Sequence, residues 1–160
     1  MGIQTQISKN KESGGKIMKK FLFYFLSVTW GCVMTIIGGF AVAGLLITGH
    51  KPEKYGWCWH FKVGKNWGGV SLGLVFISDN TPSEHTKMHE HGHSIQNCIL
   101  GPLMPFVVGI PSAIRYWYRE YLVRSGKKKY SELAPYDSVW FEGDASRRGK
   151  NFIKSLECEE

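Results

Sequence analysis

The sequence predicts an α+β membrane protein, and three observations support that fold class. A long uncharged apolar stretch lies near the N-terminus, two β-rich stretches follow it, and two helical patterns with polar inward positions come later. A chain of 160 residues suits one domain and is too short for two ordinary ones. We therefore expect a disordered polar tail over residues 1–20, a transmembrane anchor over 21–48 and a folded domain over 49–160.

The apolar stretch from Phe21 to Thr48 contains no charged residue. As a helix of roughly 28 residues it would be about 40 Å long, enough to cross a bilayer with some tilt. Its Lys-rich start, KIMKKFLFYFL, also resembles a signal peptide, and Met18 could be a start site. The apolar run is longer than signal peptides have. We therefore expect one retained N-terminal transmembrane helix.

The net charge of +7 raises the question of an anionic partner. The basic residues lie on no recognisable nucleic-acid module, and the four cysteines lack zinc-finger spacing, so we expect no nucleic acid. Contact between basic residues and anionic membrane lipid accounts for the charge. We expect an integral protein of a membrane, the bacterial inner membrane in particular, with its orientation and redox compartment left open.

Two β-rich stretches follow the apolar segment. Residues 57–63 and 68–78 are rich in β-branched and aromatic residues and are separated by GKNW, which predicts a β-hairpin. A helix should then begin at Pro82, with Thr81 as its N-cap and Glu84 completing a capping box. It should end near Leu100, because Gly101-Pro102 follows.

This helix carries the motif HEHGH, with His89 and His93 four residues apart and therefore on one face. Two neutral imidazoles so placed can bind zinc, and the carboxylate of Glu90 can reach a water on the metal without binding the metal itself. His85 continues the stripe. The outer histidines would be about 12 Å apart along the axis, too far for one tetrahedral ion, so His85 is not a ligand of the same zinc.

A third ligand is expected from the last helix, which Asp137 or Ser138 can cap. Glu142 lies on an apolar and small-residue stripe, where a buried carboxylate needs a partner or a metal. The other members of that stripe are Ala145, Gly149, Phe152, Ile153 and Leu156. Asp144 lies on the opposite side and is expected to face solvent. The predicted zinc ligands are therefore His89, His93 and Glu142.

The apolar residues 99–114 could form a second transmembrane helix, but Pro102, Pro105 and Pro111 oppose an unbroken one. If Glu142 meets the metal held by the histidines, this segment cannot cross the membrane once. A re-entrant or interfacial segment is the interpretation that satisfies both observations.

HEHGH together with the downstream EGDASRRG, residues 142–149, resembles the membrane-bound zinc peptidases of the gluzincin type, the HtpX and CAAX-prenyl-protease relatives. That family has HExxH on one helix and E-x-x-A-D on another, and this sequence has Ser146 where the family has Asp. The resemblance covers residues 68–150 at most. It implies a strand with an open edge before the HExxH helix, here within Val70 to Ile77, to which a peptide substrate adds. An intramembrane site-2-type protease also uses HExGH, but no matching downstream ligand segment is present.

The function expected from these features is a membrane-anchored zinc endopeptidase acting on a peptide or membrane-protein substrate. Glu90 would activate a zinc-bound water and later protonate the leaving amine. Tyr136 and His85 are weak candidates for stabilising the oxyanion. The alternative is a non-catalytic membrane protein whose metal site is structural and which acts as a scaffold.

Overall fold

The computed structural model describes residues 2–157 of the chain. Five α-helices and four strands lie within this range, and shorter helical turns connect some of them. In chain order they are α1 Gly2–Val28, α2 Cys32–Ile47, β1 Glu53–Tyr55, β2 Cys58–Lys62, β3 Gly69–Leu72, β4 Val75–Ser78, α3 Glu84–Leu100, α4 Ile110–Arg124 and α5 Trp140–Glu157. The fold is a mixed helical one with a small sheet.

The expectation of one N-terminal transmembrane helix is wrong. The apolar stretch from Phe21 to Thr48 is divided between α1 and α2, which meet at an angle of 83°. Across residues 2–157, no single helix has both the length and the apolar composition needed to cross a membrane. The expected tail and the start of the expected anchor share α1, which runs without a break from Gly2 to Val28.

The bend between α1 and α2 is caused by tertiary contacts at residues 29–31. A β-carbon at Gly31 would lie 2.3 Å from the Asn97 amide nitrogen, so the glycine leaves room for the Asn97 side chain of α3. The Asn97 amide donates a hydrogen bond to the Gly31 carbonyl, and the Trp30 indole donates one to the Ile99 carbonyl. The sequence contains no proline here, and the bend therefore has no strong local signal.

The predicted β-hairpin between residues 57–63 and 68–78 is also wrong. These stretches pair in parallel, as β2 with β4, within a sheet of order β1-β2-β4-β3. Two real hairpins flank that parallel pair, β1–β2 and β3–β4. The second turns at Gly73, whose φ of +71° favours glycine, and it divides the expected long strand in two. This topology leaves β3 at one edge of the sheet.

Helix α3 begins two residues later than expected. Ser83, not Thr81, is its N-cap, and the Ser83 hydroxyl accepts a hydrogen bond from the Thr86 amide. The predicted end is confirmed, because α3 stops at Leu100 and Gly101 adopts a φ of +56°. Between the helical stretches Glu84–Leu103 and Pro105–Arg124 the chain direction changes by 115°. Residues 99–114 therefore do not form one straight helix. The expectation that they re-enter the membrane or lie at its interface was part of the membrane fold class corrected above.

Helices α3 and α5 pack with their backbones in direct contact. A β-carbon at Gly92 would lie 1.9 Å from the Ala145 carbonyl oxygen, and one at Gly149 would lie 1.7 Å from that of Met88. Two glycines, one on each helix, thus permit the close approach. This contact holds the histidine motif of α3 against the first turns of α5.

Candidate metal centre

Three buried side chains from α3 and α5 bring one potential ligand atom each to a common point. The Nε2 atoms of His89 and His93 are 3.0 Å apart. Oε2 of Glu142 lies 3.1 Å from the His89 Nε2 and 3.0 Å from the His93 Nε2. Glu142 is fully buried and both histidines are nearly so. The group predicted from the sequence is therefore assembled, and it could bind a metal ion.

Two features of the helices bring these side chains together. The i, i+4 spacing places His89 and His93 on one face of α3, and their rings meet edge to face at 4.6 Å between centroids. On α5, Glu142 and Ala145 are fully buried and Gly149 touches the α3 backbone, as the predicted stripe requires. The tight helix contact brings Glu142 within reach of both imidazoles.

His89 is oriented by a hydrogen-bonded pair behind it. Its Nδ1 lies 2.7 Å from the Ser146 hydroxyl, which donates to Oδ2 of Asp137 at 2.7 Å. Since the only hydroxyl proton of Ser146 goes to a carboxylate, Ser146 accepts the Nδ1 proton of His89. The Nε2 atom of His89 then faces the centre. Asp137, expected as a helix cap, instead lies before α5 and accepts the hydrogen bond from Ser146.

His93 has an equivalent support built from different residues. Its Nδ1 lies 2.8 Å from Oε1 of Gln96. The Gln96 amide donates to the Phe141 carbonyl and to Oδ2 of Asp144, which fixes the amide orientation and makes Oε1 the acceptor for His93. The expectation that Asp144 faces solvent is wrong: it is 19% exposed and paired with Arg147 and Arg148.

Glu142 is held by further contacts on its other oxygen. Ser112 donates to Oε1 of Glu142 at 2.5 Å and lies 3.2 Å from the Tyr136 hydroxyl. Burial alone would raise the pKa of Glu142, but the contacts with His89 and His93 outweigh it and lower that pKa well below its ordinary value. Burial raises the pKa of Tyr136 to about 12, which keeps its hydroxyl protonated.

The donor set fits a bound cation. Both supports occupy the Nδ1 atoms, so each Nε2 can offer its lone pair to a metal in place of the proton that it otherwise shares with Glu142, whose carboxylate is ionised. Three such donors 3.0–3.1 Å apart need protons or a metal ion between them. A tetrahedral metal with bonds of about 2.05 Å sets its ligands about 3.3 Å apart, close to this spacing.

Glu90 lies beside this group and is 5% exposed. A β-carbon at Gly69 would lie 2.7 Å from Oε1 of Glu90, so the backbone of β3 passes directly over the carboxylate. Burial raises the pKa of Glu90, while the neighbouring His93 and His89 oppose that rise. The carboxylate is therefore enclosed between α3 and the edge strand.

A pocket of about 500 Å³ opens onto this centre. His89, Glu90 and His93 contribute to its wall, as do the two expected oxyanion candidates Tyr136 and His85. The Nε2 atom of His85 contacts Asp137 at 3.0 Å, and His85 is not among the three converging donors.

Apart from Ser146, the residues that support the three donors were not predicted from the sequence. Gln96 carried a weak signal, since it lies one turn after His93 on the same helix. Ser112 and Asp137 carried none, because only the fold brings them to the centre.

His91 is fully buried and stacks on Phe152 at 4.2 Å, so this histidine belongs to the core.

Comparisons with known proteins give no match. No family model, no curated protein and no solved structure is significantly similar to the chain. The function must therefore be inferred from the centre itself.

Proposed function

We propose that the chain is a zinc-dependent peptidase that hydrolyses peptide bonds at the centre formed by His89, His93 and Glu142. One observation carries the proposal: three buried donors converge beside the carboxylate of Glu90, at the wall of an open pocket. The resemblance to gluzincin peptidases in HEHGH and the downstream Glu142 supports the same assignment. Because the comparisons gave no match, the assignment depends mainly on the chemistry of these four side chains.

Zinc is the metal that this donor set favours. Two imidazole nitrogens and one carboxylate oxygen are the protein ligands of a common class of catalytic zinc site, in which a fourth position remains open. Calcium and magnesium prefer oxygen ligands throughout and would make poor use of two imidazoles. We therefore assign zinc, with His89, His93 and Glu142 as its ligands.

The residues around the centre have defined tasks in this reaction. A bound zinc ion supplies Lewis acidity, which makes a water molecule more acidic and polarises the substrate carbonyl. Glu90 accepts the proton of the attacking water and returns it to the leaving amine nitrogen. Ser146 and Gln96 keep the imidazoles of His89 and His93 in the orientation that the reaction needs.

The edge strand β3 offers a place for the substrate backbone. Within residues 2–157, the sheet order leaves one side of β3 without a neighbouring strand, and Gly69, Val70 and Ser71 line the pocket. An extended peptide that adds to this edge would run past Glu90 and the three donors. This geometry favours an extended peptide over a compact small molecule.

The alternative function is a scaffold in which the metal is only structural. Structural zinc sites are closed by four protein ligands, whereas the described residues supply three here and a pocket adjoins them. That difference favours the peptidase.

The test compares the wild type with Glu90→Gln and with the surface control Glu53→Gln. Glu90→Gln keeps the side-chain shape and removes the base, so we expect unchanged zinc content and cleavage lowered by roughly 10²–10⁴-fold. Glu53 is exposed and takes no part in the proposed mechanism, so its variant should cleave as the wild type does. Substrates are unfolded proteins and membrane proteins. Wild-type cleavage by Glu90→Gln would reject the mechanism, and no cleavage by any of the three proteins would favour the scaffold.

We also propose that the protein contacts lipid. Many large apolar side chains of α1, α2 and the segment before α4 are exposed, among them Phe40 at 77%, Ile47 at 86% and Phe106 at 67%. Exposed apolar surface of this kind is characteristic of an interaction site. Lipid is the partner that needs no shape complementarity to cover it.

A further inference from the structure

One wall of the pocket is apolar and well packed, in contrast to the polar metal centre. Met34, Met104 and Val108 line it, and each is less than 8% exposed. These three side chains belong to one buried cluster, which Phe141 joins. The wall is therefore a firm apolar surface formed before any ligand binds.

Two small residues at and just before the start of α4 leave space for a ligand beside this wall. Gly109 and Ala113 both line the pocket, and their i, i+4 spacing puts them on one helix face. A β-carbon at Gly109 would meet only the Met104 carbonyl oxygen, at 3.8 Å. Larger side chains at these positions would fill pocket space.

The charges around the pocket also discriminate between ligands. Among the described residues that line it, none is a lysine or an arginine, while Glu90 and Asp137 are acidic. An acidic side chain entering here would meet the like charges of Glu90 and Asp137 and no lysine or arginine to pair with. An apolar side chain would displace water from the wall formed by Met34, Met104 and Val108, which is favourable.

We propose that this apolar wall binds a large aliphatic or aromatic side chain of the peptide substrate, and that Gly109 and Ala113 set the size it accepts. The inference rests on the proposed peptidase function, because it assigns the substrate class of the same site. It also gives α2 a role in specificity, since Met34 is the residue that α2 contributes to the wall.

The experiment measures peptide binding separately from cleavage. Peptides of identical sequence carry Leu, Phe, Ala, Lys or Asp at one variable position, and each position of the peptide is varied in turn. Binding of labelled peptides to zinc-loaded Glu90→Gln is followed by fluorescence polarisation, and cleavage by the wild type by mass spectrometry. At one position we expect Leu and Phe peptides to bind at least about tenfold more tightly than Ala, and Asp to bind most weakly.

Three variants then test the assignment of the wall. Gly109→Leu and Ala113→Leu, each in the Glu90→Gln background, should reduce the Leu-over-Ala affinity ratio toward one. Gly39→Leu adds the same side chain on α2, where a β-carbon has no neighbour within 4 Å and which does not line the pocket, so the ratio should persist. If Gly109→Leu fails to fold, Ala113→Leu and the peptide series decide the matter.

The outcomes separate this inference from the proposed function. Side-chain preference in binding without any cleavage by the wild type would retain the apolar site and reject the peptidase. Cleavage without preference at any position, or a preference that survives in both Gly109→Leu and Ala113→Leu, would overturn the inference and leave the peptidase standing.

Discussion

Two neutral side chains, Ser146 and Gln96, orient the two imidazoles of the metal centre. Each donates a hydrogen bond to a carboxylate: Ser146 to Asp137, and Gln96 to Asp144. Neither carboxylate hydrogen-bonds directly to the imidazole that it supports, although Oδ1 of Asp137 lies 3.8 Å from the His89 Nδ1. Each Nδ1 donates to its neutral support, because the protons of the Ser146 hydroxyl and the Gln96 amide go elsewhere, and both Nε2 atoms face the centre.

The role of Ser146 can be measured by removing its hydroxyl. Ser146→Ala leaves the Nδ1 proton of His89 without an acceptor and separates it from Asp137, so we expect zinc affinity to fall by roughly 10–100-fold. Ser155→Ala on the same helix is the control, because Ser155 bonds only to the Phe152 carbonyl. Competition with a chelating dye gives both affinities. Equal affinities in the two variants would show that Ser146 does not orient His89.

Glu142 and Asp144 are two residues apart and should differ sharply in their effect on zinc binding. Glu142→Ala removes one of the three converging donors, so stoichiometric zinc should be lost. Asp144→Ala removes the support behind Gln96 and the ion pairs with Arg147 and Arg148 but none of the three donors, so the loss of zinc affinity should stay within about 10–100-fold. Metal analysis after gel filtration measures both. The reverse order would move the third ligand away from Glu142.

At the scale of secondary-structure elements, the contact between α3 and α5 sets the position of the centre. This part of the site could be predicted from the sequence, because a carboxylate on a stripe of small residues signals both burial and close packing. The sheet could not be predicted equally well. Gly73 gave the turn between β3 and β4, but the parallel pairing of β2 with β4 depends on distant residues.

The bend between α1 and α2 shows why sequence patterns fail at such points. Hydropathy along Phe21 to Thr48 is continuous, and Gly31 by itself is tolerated in a helix. What ends α1 is the fit of Gly31 against Asn97, some 66 residues away. A contact of that range leaves no mark on local periodicity.

The helix contact makes a stability prediction. Gly149→Ala places a methyl group against the Met88 carbonyl, so α3 and α5 must separate, and we expect a loss of about 1–3 kcal/mol in the free energy of unfolding. Gly39→Ala is the matched control, since open space surrounds Gly39 and alanine favours the helix by about 0.5–1 kcal/mol. Urea titration followed by circular dichroism compares the two. A Gly149→Ala protein as stable as the wild type would contradict the close packing.

At the scale of the whole molecule, the exposed apolar side chains of α2 should give affinity for lipid. Phe40→Glu and Ile47→Glu each put a charge on that surface, and we expect binding to zwitterionic vesicles to fall at least about tenfold. Asn151→Glu adds the same charge to the exposed side of α5 and should have little effect. Vesicle flotation measures binding. Equal flotation of all four proteins, or none by the wild type, would reject lipid contact through α2.

The candidate metal ligands on α3 and α5 also lie on opposite sides of one exposed loop in the chain. Lys127, Lys128 and Lys129 are exposed, and trypsin cutting there would leave His89 and His93 on one polypeptide and Glu142 on the other. The two pieces would form a split protein. In the intact chain the covalent link keeps them at a high effective concentration, whereas after cleavage only zinc and the helix contact would hold them together. We expect the nicked, zinc-loaded protein to elute as one species, and chelation to lower the urea concentration at which the pieces separate. Separation without denaturant while zinc is present would show that α3 and α5 hold together only through the loop.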